Sequence, residues 1–99
     1  MDKPYRQSAY PKYNRLKKKL PPYFIQRLNE AEQEVALNPR IGEEKTGSLK
    51  GIRVYKFKVL DLLVLLAYQV NQKEREVVFA AVGGHENFYR ELEQYLKGG

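Results

Sequence analysis

Cysteine is absent from the 99 residues, so neither a disulfide framework nor a thiolate metal site can form, and a reducing cytoplasm suits the chain. Long apolar runs are absent too. The most hydrophobic stretch, Leu62 to Val70, is far too short to span a bilayer and lies in the wrong place for a signal peptide. A soluble, cytoplasmic protein without membrane contact is expected. Repeats and low-complexity segments are missing, which leaves one domain over residues 1–99, with 1–10 flexible unless something ties them down. Histidine occurs once, as His85.

Acidic residues are scarce in two particular stretches. Met1 to Leu20 carries seven basic residues against one acid, and Lys45 to Lys58 carries five against none. The net charge is +6, and the two basic blocks flank a more acidic segment that includes Glu30, Glu32, Glu34, Glu43 and Glu44. If the blocks meet on one face, they form an anion-binding surface suited to nucleic-acid phosphates; otherwise they make an ordinary solvated basic surface.

At 42% hydrophobic the chain has enough apolar surface for one core. Tyr13, Leu16 and Leu20 recur at helical spacing after Pro11, and Pro21-Pro22 ends that helix and opens the next. Phe24, Leu28, Ala31 and Val35 then mark an amphipathic helix over Tyr23 to Leu37, its acidic face outward, closed by Asn38-Pro39. After a polar loop from Arg40 to Lys50 the period falls to two. Gly51 to Lys58 reads as a strand with Tyr55, Phe57 and Val59 on one side and Val54, Lys56 and Lys58 on the other.

Leu62 to Val70 reads as a central strand and Glu76 to Val82 as a third, broken by Gly83-Gly84. Phe88, Leu92, Tyr95 and Leu96 mark a last helix. The pattern predicts an α+β fold: a helical hairpin and a C-terminal helix packed on one face of an antiparallel meander.

Several strings in this order resemble the RelE/ParE superfamily of bacterial toxin–antitoxin toxins. They are NPRIGEEK after the helical hairpin, LKGIRVYKFK and LLAYQV on successive strands, and the closing VGGHENFYRELEQYL. The likeness runs from about Leu16 to Leu96, and the closing string is most similar to the YafQ branch. The resemblance implies a RelE-like fold with a three- to four-stranded sheet. It also implies a toxin that cleaves mRNA in the ribosomal A site and is neutralised by a cognate antitoxin. Such enzymes use no metal or other cofactor: the 2′-hydroxyl attacks its own 3′-phosphate while the protein moves protons and supplies positive charge. ParE-like relatives imply the alternative, a non-enzymatic inhibitor of DNA gyrase.

Histidine is the side chain whose ordinary pKa lies nearest neutrality, and His85 sits where the third strand turns into the last helix. The resemblance makes it the general acid or base; on pattern alone it caps the helix or packs in the turn. Lys56 and Lys58 match a YKIK-type string that faces RNA in RelE-like toxins, which assigns them to phosphate positioning and transition-state charge. Spacing alone favours a solubilising pair. Tyr89 lies one turn beyond His85, where relatives carry an aromatic that stacks on a base or holds the site; packing is the other reading.

Lys45, Lys50, Arg53 and Arg90 are candidate RNA contacts, although Arg90 is also placed to pair with Glu86 or Glu93. Two arginines of the RelE-type pattern are missing, one replaced by Leu65 and the other near Gly84 and His85. No N-terminal strand is evident before Pro11.

Overall fold

The computed structural model describes residues 3–85 and 88–98. The chain runs β1 (Arg6–Ala9), α1 (Pro11–Lys18), α2 (Pro22–Leu37), β2 (Glu43–Glu44), β3 (Arg53–Val59), β4 (Leu62–Asn71), β5 (Glu76–Gly84) and α3 (Phe88–Gly98). One sheet has the strand order β1-β5-β4-β3-β2. The meander β2-β3-β4-β5 is antiparallel, as expected, and β1 adds to its far edge in parallel with β5.

The sheet therefore has five strands, mixed in direction, where three or four antiparallel ones were expected. From Tyr5 to Ala9 the chain is held in place. Ser8 and Ala9 are half-buried, the Tyr5 N–H donates to the carbonyl of Ala36, and the Arg75 guanidinium lies 4.5 Å from the Tyr5 ring centroid.

The helices cover both faces of the sheet. On one face α1 and α2 bury Tyr13, Leu28, Ala31 and Val35 against Phe57, Val59, Leu66, Tyr68 and Phe79. On the other, α3 buries Phe88 and Leu92 against Leu49, Ile52, Val54, Leu65, Ala67 and Ala80. The expectation of helices on one face is thus corrected. The run from Val64 to Tyr68 is buried on both sides, and such a strand needs a cover on each.

Gly83-Gly84 does not break the sheet either, because β5 runs through both glycines. Its irregularity lies earlier. Ala67 opposes Ala81 and Tyr68 opposes Phe79, so Ala80 is an extra residue. That bulge moves Val82 onto the face of Val77 and Phe79, and it turns Gly83 toward Phe88 of α3.

The outward acidic face of α2 has one exception. Glu32 is buried, accepting the Tyr13 hydroxyl at 2.6 Å and the Lys17 ammonium at 2.9 Å, and it ties α1 to α2. Between α2 and β3, the segment around Gly42 is fixed by Tyr68. This fully buried phenol donates to the Pro39 carbonyl at 2.6 Å and accepts the Gly42 N–H at 2.9 Å.

Candidate functional site

Alternation along β3 decides which cations share a surface. Val54 packs under α3, so Lys56 and Lys58 project on that same face, both exposed. Arg53 takes the opposite face. Its guanidinium donates to the Gly42 carbonyl at 2.7 Å and lies 3.5 Å from the Glu44 carboxylate, so it braces the segment before β3.

β2 extends the site by register. Glu43 opposes Val54 and Glu44 opposes Arg53, which puts Glu43 on the α3 face beside Lys56 and Glu44 on the other. Lys45 follows with its N–H bonded to the Ile52 carbonyl, and its side chain returns to the face of Glu43. Its ammonium pairs with the Glu43 carboxylate and lies 5.1 Å from the centroid of the Tyr89 ring. Tyr89 in turn meets His85 edge-on, with ring centroids 6.1 Å apart. Glu43, Lys45, Tyr89 and His85 thus form a continuous chain of contacts.

His85 is exposed where β5 ends. Its carbonyl accepts the Phe88 N–H at 3.3 Å, so it is the backbone of this residue that turns the chain into α3. Gly83 and Lys56 both oppose Leu65 across β4, two strand spacings (roughly 10 Å) from each other. The histidine at the end of β5 therefore stands across a narrow strip of sheet from the lysines of β3.

Two ionisable groups of the site are shifted. The Glu43 carboxyl is held below its ordinary value, first by the hydrogen bond from Lys45 and then by its charge, with Lys56 adding to the effect. The Lys45 ammonium is held above its ordinary value, mainly by the bond to Glu43 and further by Tyr89, against the opposing effect of partial burial.

Of the residues expected from sequence, Lys45, Lys56, Tyr89 and His85 share this surface, and Lys58 extends it along β3. Lys50 is exposed at the end of the turn before β3, and Arg90 is exposed on α3. Glu86, offered as a partner for Arg90, lies outside the described residues, whereas Glu93 accepts the Ser48 hydroxyl at 2.5 Å. Glu43 was missed. It falls in what reads as a polar loop, and the only available signal was the two-residue spacing Glu43-x-Lys45, a short stretch of strand period.

The surface is open. A cavity of about 240 Å³ lies between α1 and α3, walled by Tyr13, Leu16, Phe88, Leu92 and Tyr95, and it contains none of the lysines of β3. Among the described residues no three His, Asp or Glu side chains gather as metal ligands would, and no helix is long and apolar enough to cross a membrane.

Comparison with solved structures returns the same fold. The RelBE2 toxin–antitoxin complex of Mycobacterium tuberculosis matches with a TM-score of 0.73 at 22% identity, over 86% of this chain and 98% of that one. A mutant of the E. coli toxin RelE in the free state matches with a TM-score of 0.74 at 21% identity, over 96% and 98%. The intact E. coli RelBE complex matches with a TM-score of 0.67 at 26% identity, over 83% and 98%. No curated protein matches the chain in sequence. A family model described as the ParE-like toxin of type II bacterial toxin–antitoxin systems matches residues 8–93, and the chain belongs to that family.

Proposed function

We propose that this toxin is a ribosome-dependent mRNA endonuclease of the cytoplasm, kept inactive by a cognate antitoxin. The observation that carries the reading is the exposed His85 set edge-on against Tyr89, across the sheet from Lys56 and Lys58. In the reaction a 2′-oxygen bonds to the adjacent phosphorus and the bond to the 5′-oxygen breaks. The 2′-hydroxyl gives up a proton and the leaving 5′-oxygen gains one. His85 protonates the leaving oxygen, or takes the 2′ proton. Lys56 and Lys58 face the growing charge on the phosphoryl oxygens. Tyr89 holds the imidazole and offers a face to a base. The open surface suits a polymer presented by another body, which is the part given to the ribosome.

The antitoxin partner is inferred from the relatives crystallised as toxin–antitoxin complexes. An acidic segment would meet the free lysines of β3.

The ParE-like family description favours a second reading, inhibition of DNA gyrase without catalysis. Leu65 supports it, because this fully buried residue stands where RelE-type enzymes carry an arginine. Mapping of mRNA 5′ ends on translating ribosomes separates the two. Codon-phased cuts that fall by about 10²–10⁴ in rate with His85→Ala are expected for loss of a general acid or base. Cuts that persist move the proton transfer off the histidine. An absence of cuts with the unaltered protein, together with inhibited supercoiling by gyrase, replaces the nuclease with the second reading.

A further inference from the structure

An acid at the centre of a phosphate-binding surface needs a reason. Glu43 is largely exposed, with 70% of its side chain open to solvent, yet its carboxylate bonds Lys45. Its register opposite Val54 also places it diagonally beside Lys56. Glu44, next in sequence, is turned to the other face and occupied by Arg53. The pairing of Glu43 is therefore specific to the surface that carries Tyr89 and His85.

Building from the nuclease reading, we propose that Glu43 is an internal stand-in for a substrate phosphate. In the free protein it occupies the Lys45 donor of an anion subsite beside Lys56, without bonding Lys56 itself, and it is displaced when RNA binds. Several features fit this role. A carboxylate and a phosphate oxygen use the same lysine donors. Lys45 is only 21% exposed and anchored through its N–H to Ile52, so the subsite stays in place when the anion changes. The carboxylate side chain, by contrast, is solvent-exposed, with its bond made to Lys45. Glu43 thereby lowers the affinity of the free toxin for RNA in general and favours substrate that is already positioned.

The test is a fluorescence-anisotropy titration of the full chain with a labelled single-stranded RNA made uncleavable by 2′-O-methyl groups. The unaltered protein is compared with Glu43→Gln and Glu30→Gln. Glu30 lies exposed on α2 beside Arg27, so the second variant makes the same change in net charge away from the site. Circular dichroism and the thermal midpoint verify that each variant is folded.

Glu43→Gln is expected to bind about three- to tenfold tighter at low salt, from loss of one unit charge within roughly 7 Å of the subsite. Its dependence of log K on log salt should steepen by about 0.7, as for one further phosphate neutralised on a single strand. Glu30→Gln should show neither change. Equal affinities for the two variants would overturn the proposal, as would an absence of RNA binding by all three proteins. Both results are independent of the 5′-end map: a chain that binds as expected and cuts nothing refutes the nuclease and leaves the role of Glu43 standing.

Discussion

Replacing Tyr68 by phenylalanine removes one oxygen and with it two of the hydrogen bonds that fix the segment before β3, leaving the Arg53 bond to the Gly42 carbonyl in place. The phenol is fully buried. Its loss leaves the Gly42 N–H and the Pro39 carbonyl without the partners they now have at 2.9 and 2.6 Å. Each such bond contributes about 1 kcal/mol net, so the substitution should cost about 2 kcal/mol, rising to about 3 if no water reaches the stranded N–H. For a domain of this size about 1 kcal/mol corresponds to roughly 5 °C in thermal midpoint, so a fall of about 10 °C is expected in calorimetry. The ring contact of Tyr68 with Phe79, centroids 6.3 Å apart, survives the change, so packing adds little.

Gly42→Ala supplies the check. Gly42 has φ −83° and ψ 150°, which alanine adopts freely, so any cost is steric. A Cβ there would lie 2.6 Å from the Tyr68 hydroxyl, 2.9 Å from its ring and 3.0 Å from the Val54 backbone. Overpacking of this kind costs about 1–3 kcal/mol. Because Tyr68→Phe removes the closest of the three contacts, alanine should cost less in that background than in the unaltered protein. A midpoint shift under about 3 °C for Tyr68→Phe, or strict additivity in the double variant, would refute the account of the buried phenol as a principal tie of this segment.

Two other sites give independent expectations. Glu32→Ala strands the buried Tyr13 hydroxyl and the Lys17 ammonium, and should lower stability by about 2–3 kcal/mol in urea titration. Burial first, and then Glu32, raises the Tyr13 pKa above its ordinary value of 10.0. The folded state therefore holds this proton where the unfolded state releases it. That contribution is fully present below pH 10.0 and lost as pH rises past it, so the midpoint should drop above that pH and drop less in Tyr13→Phe. At the β3–β4 turn, Leu60 has φ +55° and is 77% exposed, a left-handed position with little burial to lose. Leu60→Gly is expected to stabilise by about 0.5–1 kcal/mol by denaturant titration, since relief of the Cβ clash exceeds the entropy that glycine costs.

The parts of the fold legible in the sequence are those whose side chains alternate against a core. Tyr55, Phe57 and Val59 against Val54, Lys56 and Lys58 gave the faces of β3 directly, since each face has a different neighbour. β1 was not legible, because RQSA makes its place mainly through backbone pairing with β5, and an edge strand that buries only Ser8 and Ala9 in part imposes no period. The bulge at Ala80 was hidden for a related reason. Two alanines side by side fit either face, so nothing in VVFAAV marks where the alternation slips. Glycines 83 and 84 read as breakers, yet β5 pairs through both of them.

Within the candidate site the same contrast holds. His85 stood out as the sole histidine and Lys56 and Lys58 by their period. Glu43 bonds Lys45 only two residues on, but its face is set by its register with Val54, and the Tyr68 bonds to Pro39 and Gly42 join residues still further apart, which local spacing cannot encode.

The distribution of paired charge explains why one carboxylate on the α3 face matters so much. On the helical-hairpin side the acids are occupied: Glu32 by Lys17, Glu30 and Glu34 by Arg27, Glu44 by Arg53. Lys56 and Lys58, by contrast, have no carboxylate within 4 Å among the described residues. The excess of positive charge on this side of β3 is therefore available to an external anion, and it is exposed to water where pairing energies are small and sensitive to salt. A surface built that way binds any polyanion weakly and selects little among them. Glu43, bonded to Lys45, opposes that attraction from within the same surface. Its removal is expected to strengthen RNA binding where the loss of Glu30 does not, because its carboxylate occupies a lysine of this surface and that of Glu30 does not.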